Sequence, residues 1–199
     1  MAETLTTAFQ QTSWIEVLAV FLGIAYVILA VYESNWCWLA AAISVSLYIY
    51  ICFVAKLYSE TGLQLFYLVM AFYGWWQWKN NKTGNQKMNI SVLVTNTHLL
   101  LIASGLLLTF LFYYLMKKYT DAALPLQDAF VTAFSLIATF MVAKKILENW
   151  LWWIAIDSLA VYIYFNRSLH LTAILYFIYV IIAVIGFINW KKEFSQQKT

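Results

Sequence analysis

The sequence predicts an all-α polytopic membrane protein with seven transmembrane helices. Three observations carry this. Of the 199 residues, 64% are hydrophobic and 11% are charged, whereas a soluble domain carries about 25% charged residues. The mean hydropathy is +0.74, too high for a surface that faces water. The apolar residues also gather in seven runs close to the length that crosses a bilayer as a helix. They lie at 15–32, 36–55, 62–78, 98–116, 128–143, 150–165 and 169–190.

Each run reads as a helix because it is apolar on most faces. A membrane β-barrel would show shorter segments with strict alternation. One Pro and only 6 Gly exclude a low-complexity or disordered chain. The stretch 1–13 is polar and holds neither Lys nor Arg. It lacks the basic start and cleavage site of a signal peptide, so span one is expected to stay in the mature protein. Glu16 lies one turn inside span one, where a charged tip can snorkel to the interface. Span five is short and carries Thr132, Ser135 and Thr139, which makes it the least apolar.

The basic residues orient the spans. With the N-terminus outside and the C-terminus inside, eight of the 12 Lys and Arg face the cytoplasm. These are Lys79, Lys82, Lys87, Lys144, Lys145, Lys191, Lys192 and Lys198. Lys56, Lys117, Lys118 and Arg167 fall on the other side. The positive-inside rule therefore selects N-out, C-in.

Spans two and three are echoed by spans six and seven. Asn35-Trp36-Cys37-Trp38 matches Asn149-Trp150-Leu151-Trp152, and Tyr48 and Tyr50 match Tyr162 and Tyr164 in the same register. After a two-residue slip, Tyr67, Gly74, Trp78 and Lys79 match Tyr179, Gly186, Trp190 and Lys191. Nine of the ten tryptophans lie in these stretches. Such self-similarity marks a repeat architecture. It predicts a 3+1+3 plan, with a first three-helix half at 14–80, linking helix four within 81–120 and a second half at 121–192. A single linking helix makes both halves enter the membrane in the same direction, as a parallel repeat. Transporters are often built this way, with the substrate at the repeat interface near the midplane.

Several polar residues inside spans could carry chemistry. Asp157 lies in span six, and an intramembrane carboxylate marks a functional site by default. Trp150, Trp153, Asp157 and Tyr164 share one face at about 100° per residue. A carboxylate flanked by aromatic planes suits a flat cationic solute through cation–π contact and stacking. The alternative is a structural carboxylate hydrogen-bonded to a neighbouring helix. The matching position in the first half is Ile43, so the acid occurs in one half only. Gln64 and Tyr67 share a face of span three with Ala71, Gly74, Trp75 and Trp78. Span seven repeats it with Tyr176, Tyr179, Ala183, Gly186 and Trp190. Gln64 can donate and accept hydrogen bonds, either to a solute or as interhelical glue. Glu33-Ser34-Asn35-Trp36 and Glu148-Asn149-Trp150 open spans two and six. In one reading Asn caps the helix while Glu complements its dipole. In the other, Asn149 lies at the cytoplasmic end of a pocket. Trp75-Trp76-Gln77-Trp78 falls at the inner interface, where an aromatic belt is expected.

Other classes lack their residues. Cys37 and Cys52 sit in an apolar stretch and do not form a disulfide framework or a zinc site. His98 and His170 are too far apart to form a ligand pair, so no metal or cofactor is expected. The net charge of +3 is spread over loops and does not make a nucleic-acid surface. There is no phosphate-binding Gly-rich loop, Walker Lys or Ser elbow. A lipid-modifying membrane enzyme would need a nucleophile, a base or a metal cluster. A membrane sensor would need a signalling segment, and only nine residues follow Trp190.

Two motif blocks resemble the signature of the PnuC family. One is Lys56-Leu57-Tyr58 with Leu63-Gln64-Leu65-Phe66-Tyr67 and Tyr73-Gly74-Trp75, then Trp78. The other is Glu148-Asn149-Trp150-Leu151-Trp152-Trp153-Ile154. The resemblance spans roughly 14–192. It implies a vitamin transporter of the bacterial inner membrane, related in fold to the SWEET sugar transporters, with N-out, C-in topology. It further implies facilitated diffusion, with a cytosolic kinase trapping the vitamin. Family members carry nicotinamide riboside, thiamine or riboflavin. The tract after the Trp pair tends to carry Asn in the nicotinamide riboside pattern, and here it reads Ala155-Ile156-Asp157. That departure favours thiamine as substrate, with nicotinamide riboside as the alternative. The expected substrate contacts are Asp157, Trp150, Trp153, Asn149, Gln64, Tyr67 and Tyr176. The expected partners are a small cationic vitamin and the lipid bilayer. A homo-oligomer is compatible with the pattern.

Overall fold

The computed structural model describes residues 14–55, 58–81, 88–120, 124–167 and 169–197. Among them are seven α-helices, and each carries one of the seven apolar runs. They are α1 (Trp14–Val31), α2 (Trp36–Val54), α3 (Tyr58–Asn80), α4 (Thr95–Tyr119), α5 (Pro125–Ala143), α6 (Asn149–Asn166) and α7 (His170–Gln196). No strand forms among the described residues. The stretch 1–13, Lys56, Leu57, Lys82, Lys87 and Lys198 lie outside them.

Five helices, α1, α2, α4, α5 and α7, are long and apolar enough to cross a membrane. Helices α3 and α6 are richer in Trp, Tyr and polar residues, which lowers their hydropathy while suiting membrane interfaces. Large apolar side chains point outward, as on α4, where Leu107 is 73% and Phe110 69% exposed. Lipid is the solvent that accepts such a surface. Pro125 opens α5, where its fixed φ is pre-organised and its missing N–H costs nothing.

The chain divides into two compact units, 1–88 and 89–199. In the first, α1 packs on α2 and α2 on α3. In the second, α4 packs on α5, α5 on α6 and α6 on α7. Small residues line the seams, because in lipid helices associate by close packing rather than by hiding apolar surface. Ala19, Ala129, Ala133 and Ala138 are fully buried. The Ser44 hydroxyl of α2 donates to the Ala19 carbonyl of α1 at 2.7 Å. A Cβ on Gly105 of α4 would stand 2.8 Å from Cζ of Phe134 on α5.

Each unit contains the same joint. Helix α1 ends with Glu33 at φ 55°, and α5 ends with Lys145 at φ 50°. Glu33 and Ser34 donate their N–H groups to the carbonyls of Ala30 and Leu29, and Lys145 and Ile146 donate to those of Val142 and Met141. Both are Schellman ends closed by a residue other than glycine. Beyond the joint, Trp38 of α2 lies on Gly74 of α3 and meets Trp78 edge-on at 5.4 Å. In the second unit Trp150 of α6 lies on Gly186 of α7 and meets Trp190 edge-on at 5.4 Å. The repeat therefore runs in one constant register, pairing Glu33 with Lys145, Trp38 with Trp150 and Gly74 with Gly186.

This corrects the two-residue slip read from the sequence. The local likeness of the Asn-Trp-x-Trp segments aligned Trp36 with Trp150, but packing aligns the indole that rests on the glycine. The first-unit position equivalent to Asp157 is therefore Val45, not Ile43.

Candidate functional site

The second unit holds five of the residues singled out by sequence. Asn149 is the first residue of α6 and is fully buried. It does not cap the helix. Its Nδ2 donates to the Ile146 carbonyl at 2.6 Å. Its Oδ1 is buried without a partner among the described residues. Asn35, which does precede its helix, makes no capping bond through its side chain either. Both chain entries are instead fixed by the Schellman joints.

Trp150 is 2% exposed. Its ring lies on Gly186, with Cδ2, Cε2 and Cε3 each 2.7 Å from where a Cβ would stand. Its Nε1–H is buried and unpartnered among the described residues. Trp153 faces another way, packing with Trp152 against Ala133, Phe134, Ala138 and Ile156. One face on a helical wheel has become two contacts, toward α7 and α5, because α6 lies between them. Asp157 is 4% exposed, about 10 Å along the helix from Trp150 at 1.5 Å per residue. Further along, Tyr164 stacks on Tyr176 of α7 at 5.2 Å and 17°, and Tyr176 meets Tyr179 edge-on at 6.0 Å.

The first unit holds Gln64 and Tyr67 on α3, both half-buried. Tyr67 meets Phe66 edge-on at 5.8 Å. Farther along, Ala71, Gly74, Gln77 and Trp78 are buried, while Trp76 is 55% exposed. The expected aromatic belt thus divides, with Trp76 outward and Trp78 in the packing. Trp75 meets Trp36 edge-on at 5.9 Å.

Three residues take parts here that the sequence did not suggest for them. Trp38 is 2% exposed, contacts Tyr26 at 5.8 Å and has its Nε1–H buried without a partner among the described residues, like Trp150. The constant spacing of the Gly and Trp pairs would have found it. Glu148 accepts from the Leu93 N–H at 3.1 Å, and His98 Nε2 stands 3.5 Å from the same oxygen. No signal in the sequence joins His98 to Glu148. Among the described residues no group of three His, Cys, Asp or Glu could hold a metal ion.

The second unit offers a buried carboxylate, an indole N–H donor, an amide oxygen and tyrosine rings, groups that can bind a polar solute.

Comparison with known proteins agrees with this. The family model described as "Nicotinamide mononucleotide transporter" matches residues 13–192. The nicotinamide riboside transporter PnuC of Escherichia coli (strain K12) is 24% identical, over 89% of this chain and 85% of its own. The riboflavin/roseoflavin transporter RibM of Streptomyces davaonensis is 24% identical, over 91% of this chain and 86% of its own. Among solved structures, the crystal structure of the vitamin B3 transporter PnuC matches with a TM-score of 0.74 at 25% identity. The match covers 98% of this chain and 88% of that one.

Proposed function

The chain belongs to the nicotinamide mononucleotide transporter family, that of the PnuC proteins, and from that premise we propose that it carries nicotinamide riboside across the bacterial inner membrane. It is a multi-pass membrane protein with a transport role, not an enzyme. Two of the relatives above are named for nicotinamide riboside or vitamin B3 and one for riboflavin. This ranks nicotinamide riboside above thiamine, which the sequence alone favoured.

The observation that carries the reading is Asp157, 4% exposed inside α6. A carboxylate in such surroundings is costly unless a cation comes to it, and nicotinamide riboside carries a fixed positive ring. Trp153 and Trp150 supply indole surface, Asn149 an amide oxygen and Tyr176 a ring in the second unit. Gln64 and Tyr67 are the first unit's candidates for substrate contact. Thiamine is the second reading, favoured by the same carboxylate because its thiazolium ring is also cationic. Passage by facilitated diffusion, with a cytosolic kinase trapping the vitamin, completes the proposal. So do N-out, C-in topology, supported by the eight basic residues on the inner side, and the 3+1+3 plan with halves at 14–80 and 121–192.

A binding titration on purified protein, read by intrinsic Trp fluorescence, tests this. Nicotinamide riboside, thiamine and riboflavin are compared side by side. Saturable quenching by nicotinamide riboside is expected. Quenching by thiamine alone replaces the first reading with the second. Quenching by riboflavin alone, or by none of the three in folded protein, refutes both.

A further inference from the structure

A short extended segment ahead of α4 ties together three parts of the second unit. The Ile90 N–H donates to Oε1 of Gln197 at the end of α7, at 3.0 Å. Ser91 forms a parallel bridge with Ile146 in the turn between α5 and α6. Its N–H donates to the Lys145 carbonyl at 3.0 Å, and its carbonyl accepts from the Leu147 N–H at 2.8 Å. The Leu93 N–H donates to Oε1 of Glu148 at 3.1 Å. Ile90 is 3% exposed, and Leu93 packs on Ile137, Met141 and Ile146. Main-chain bonds every one or two residues, with apolar side chains turned inward, describe a strap across this end of the unit.

We propose that residues 90–93 form a strap that sets the first turn of α6, and that Glu148 is thereby a positioning residue for Asn149 and Trp150. Trp150 is seated on Gly186 and Trp190, and Asn149 Nδ2 donates to the Ile146 carbonyl, so both side chains depend on where the first turn of α6 stands. Glu148 makes no capping bond to its own helix. Its carboxylate reaches back to Leu93, with His98 of α4 beside the same oxygen. Asn149 Oδ1 and Trp150 Nε1 have no partner among the described residues, and the backbone of this turn sets where they stand. That backbone is anchored on the strap by two routes. Ile146 pairs with Ser91 and accepts the Asn149 amide, while Glu148 holds the Leu93 N–H. In the first unit the position of Glu148 is taken by Trp36, 63% exposed, which has no carboxylate to offer such a strap. The positioning role rests on the reading of Asn149 and Trp150 as substrate contacts, whereas the strap itself does not.

The test therefore uses two readouts on the full-length protein in detergent. The first is amide hydrogen exchange at residues 147–152 without ligand. Glu148→Ala removes the acceptor for Leu93, and Ser91→Pro removes the donor to Lys145 at an exposed position. Each is expected to speed exchange there about tenfold, the loss of one hydrogen bond. Glu148→Gln keeps a carbonyl oxygen for the Leu93 N–H and is expected to exchange like the wild type. The second readout is the Kd for nicotinamide riboside. It is expected to rise about tenfold in Glu148→Ala and to be restored in Glu148→Gln. Unchanged exchange in Ser91→Pro, or in a folded Glu148→Ala, overturns the strap. Faster exchange with an unchanged Kd overturns the positioning role. If the wild-type protein binds no vitamin, the proposed function falls, and the exchange result still decides the strap. Ser91→Pro carries the test should Glu148→Ala fail to fold.

Discussion

Gly186→Ala should destabilise the protein, although alanine is the better helix former. A Cβ at Gly186 would stand 2.7 Å from three ring carbons of Trp150, where ordinary contact begins at 3.4 Å. The indole must retreat by about 0.7 Å. It has little room, being 2% exposed and set edge-on, at 5.4 Å and 90°, against a Trp190 that is fully buried. Overpacking of this kind costs about 1–3 kcal/mol. Disturbing the edge-to-face pair forfeits part of its own contribution, about 0.5–1.5 kcal/mol. Helix propensity returns about 0.8–1 kcal/mol. The net loss is about 0.5–3.5 kcal/mol, a fall of about one to several degrees in the unfolding midpoint at about 2–4 °C per kcal/mol for a chain of this size. The control is Gly62→Ala on α3, where nothing lies within 4 Å of the added Cβ and propensity acts alone. Thermal unfolding in detergent, followed by far-UV circular dichroism, compares the two. A Gly186→Ala midpoint equal to that of Gly62→Ala would refute the argument that this glycine exists to seat an indole.

Two further substitutions probe different terms. Asp157→Asn keeps the shape and removes the charge. At an effective dielectric of about 20, a cation about 5 Å away loses roughly 3 kcal/mol before screening, so the Kd for nicotinamide riboside should rise at least about tenfold by calorimetry. An unchanged Kd in folded protein counts against Asp157 as the cation's partner. Arg167→Ala removes an ion pair in which Nη2 stands 2.7 Å from Oδ2 of Asp128. Both side chains are more than a quarter exposed, so the pair contributes about 0–1 kcal/mol. The unfolding midpoint should move by less than about 4 °C, and a larger fall would show that the pair is not screened.

The seven helices were legible because in lipid every backbone group must be satisfied within its own segment. Long apolar runs then have one structural outcome. The candidate site was legible in composition and not in direction. Asp157 stood out as a charge where charges are rare, but the wheel placed Trp150 and Trp153 together. It could not show that α7 takes one ring and α5 the other. Of the two readings of the Asn residues, capping fails for a related reason. Asn before an apolar run usually caps a helix, yet here left-handed residues at Glu33 and Lys145 turn the chain first. These are poor formers of that conformation, so no local preference announces them. The strap was out of reach altogether, since it bonds through its own main-chain atoms and its side-chain acceptors, Gln197 and Glu148, lie 107 and 55 residues away in the chain.

In the repeat the packing contacts are shared and the polar candidates are not. In the constant register, the indoles seated on glycines coincide, Trp38 with Trp150 on Gly74 and Gly186. So do the tryptophans they meet edge-on, Trp78 and Trp190. The polar candidates do not coincide. Asn149 stands where the first unit has Cys37, Asp157 where it has Val45, Glu148 where it has Trp36, and Tyr176 where it has Gln64. Packing an indole against a glycine has the same solution in both units, so duplication preserves it. A vitamin with a cationic ring at one end and hydroxyls at the other presents no repeat of its own. A carboxylate in both units would leave one buried without a counter-charge, at a cost of several kcal/mol. The asymmetry of the polar residues therefore fits the proposed substrate, a single asymmetric cation. A double substitution that moved the acid, Asp157→Val with Val45→Asp, should not restore its binding unless the remaining polar residues moved with it.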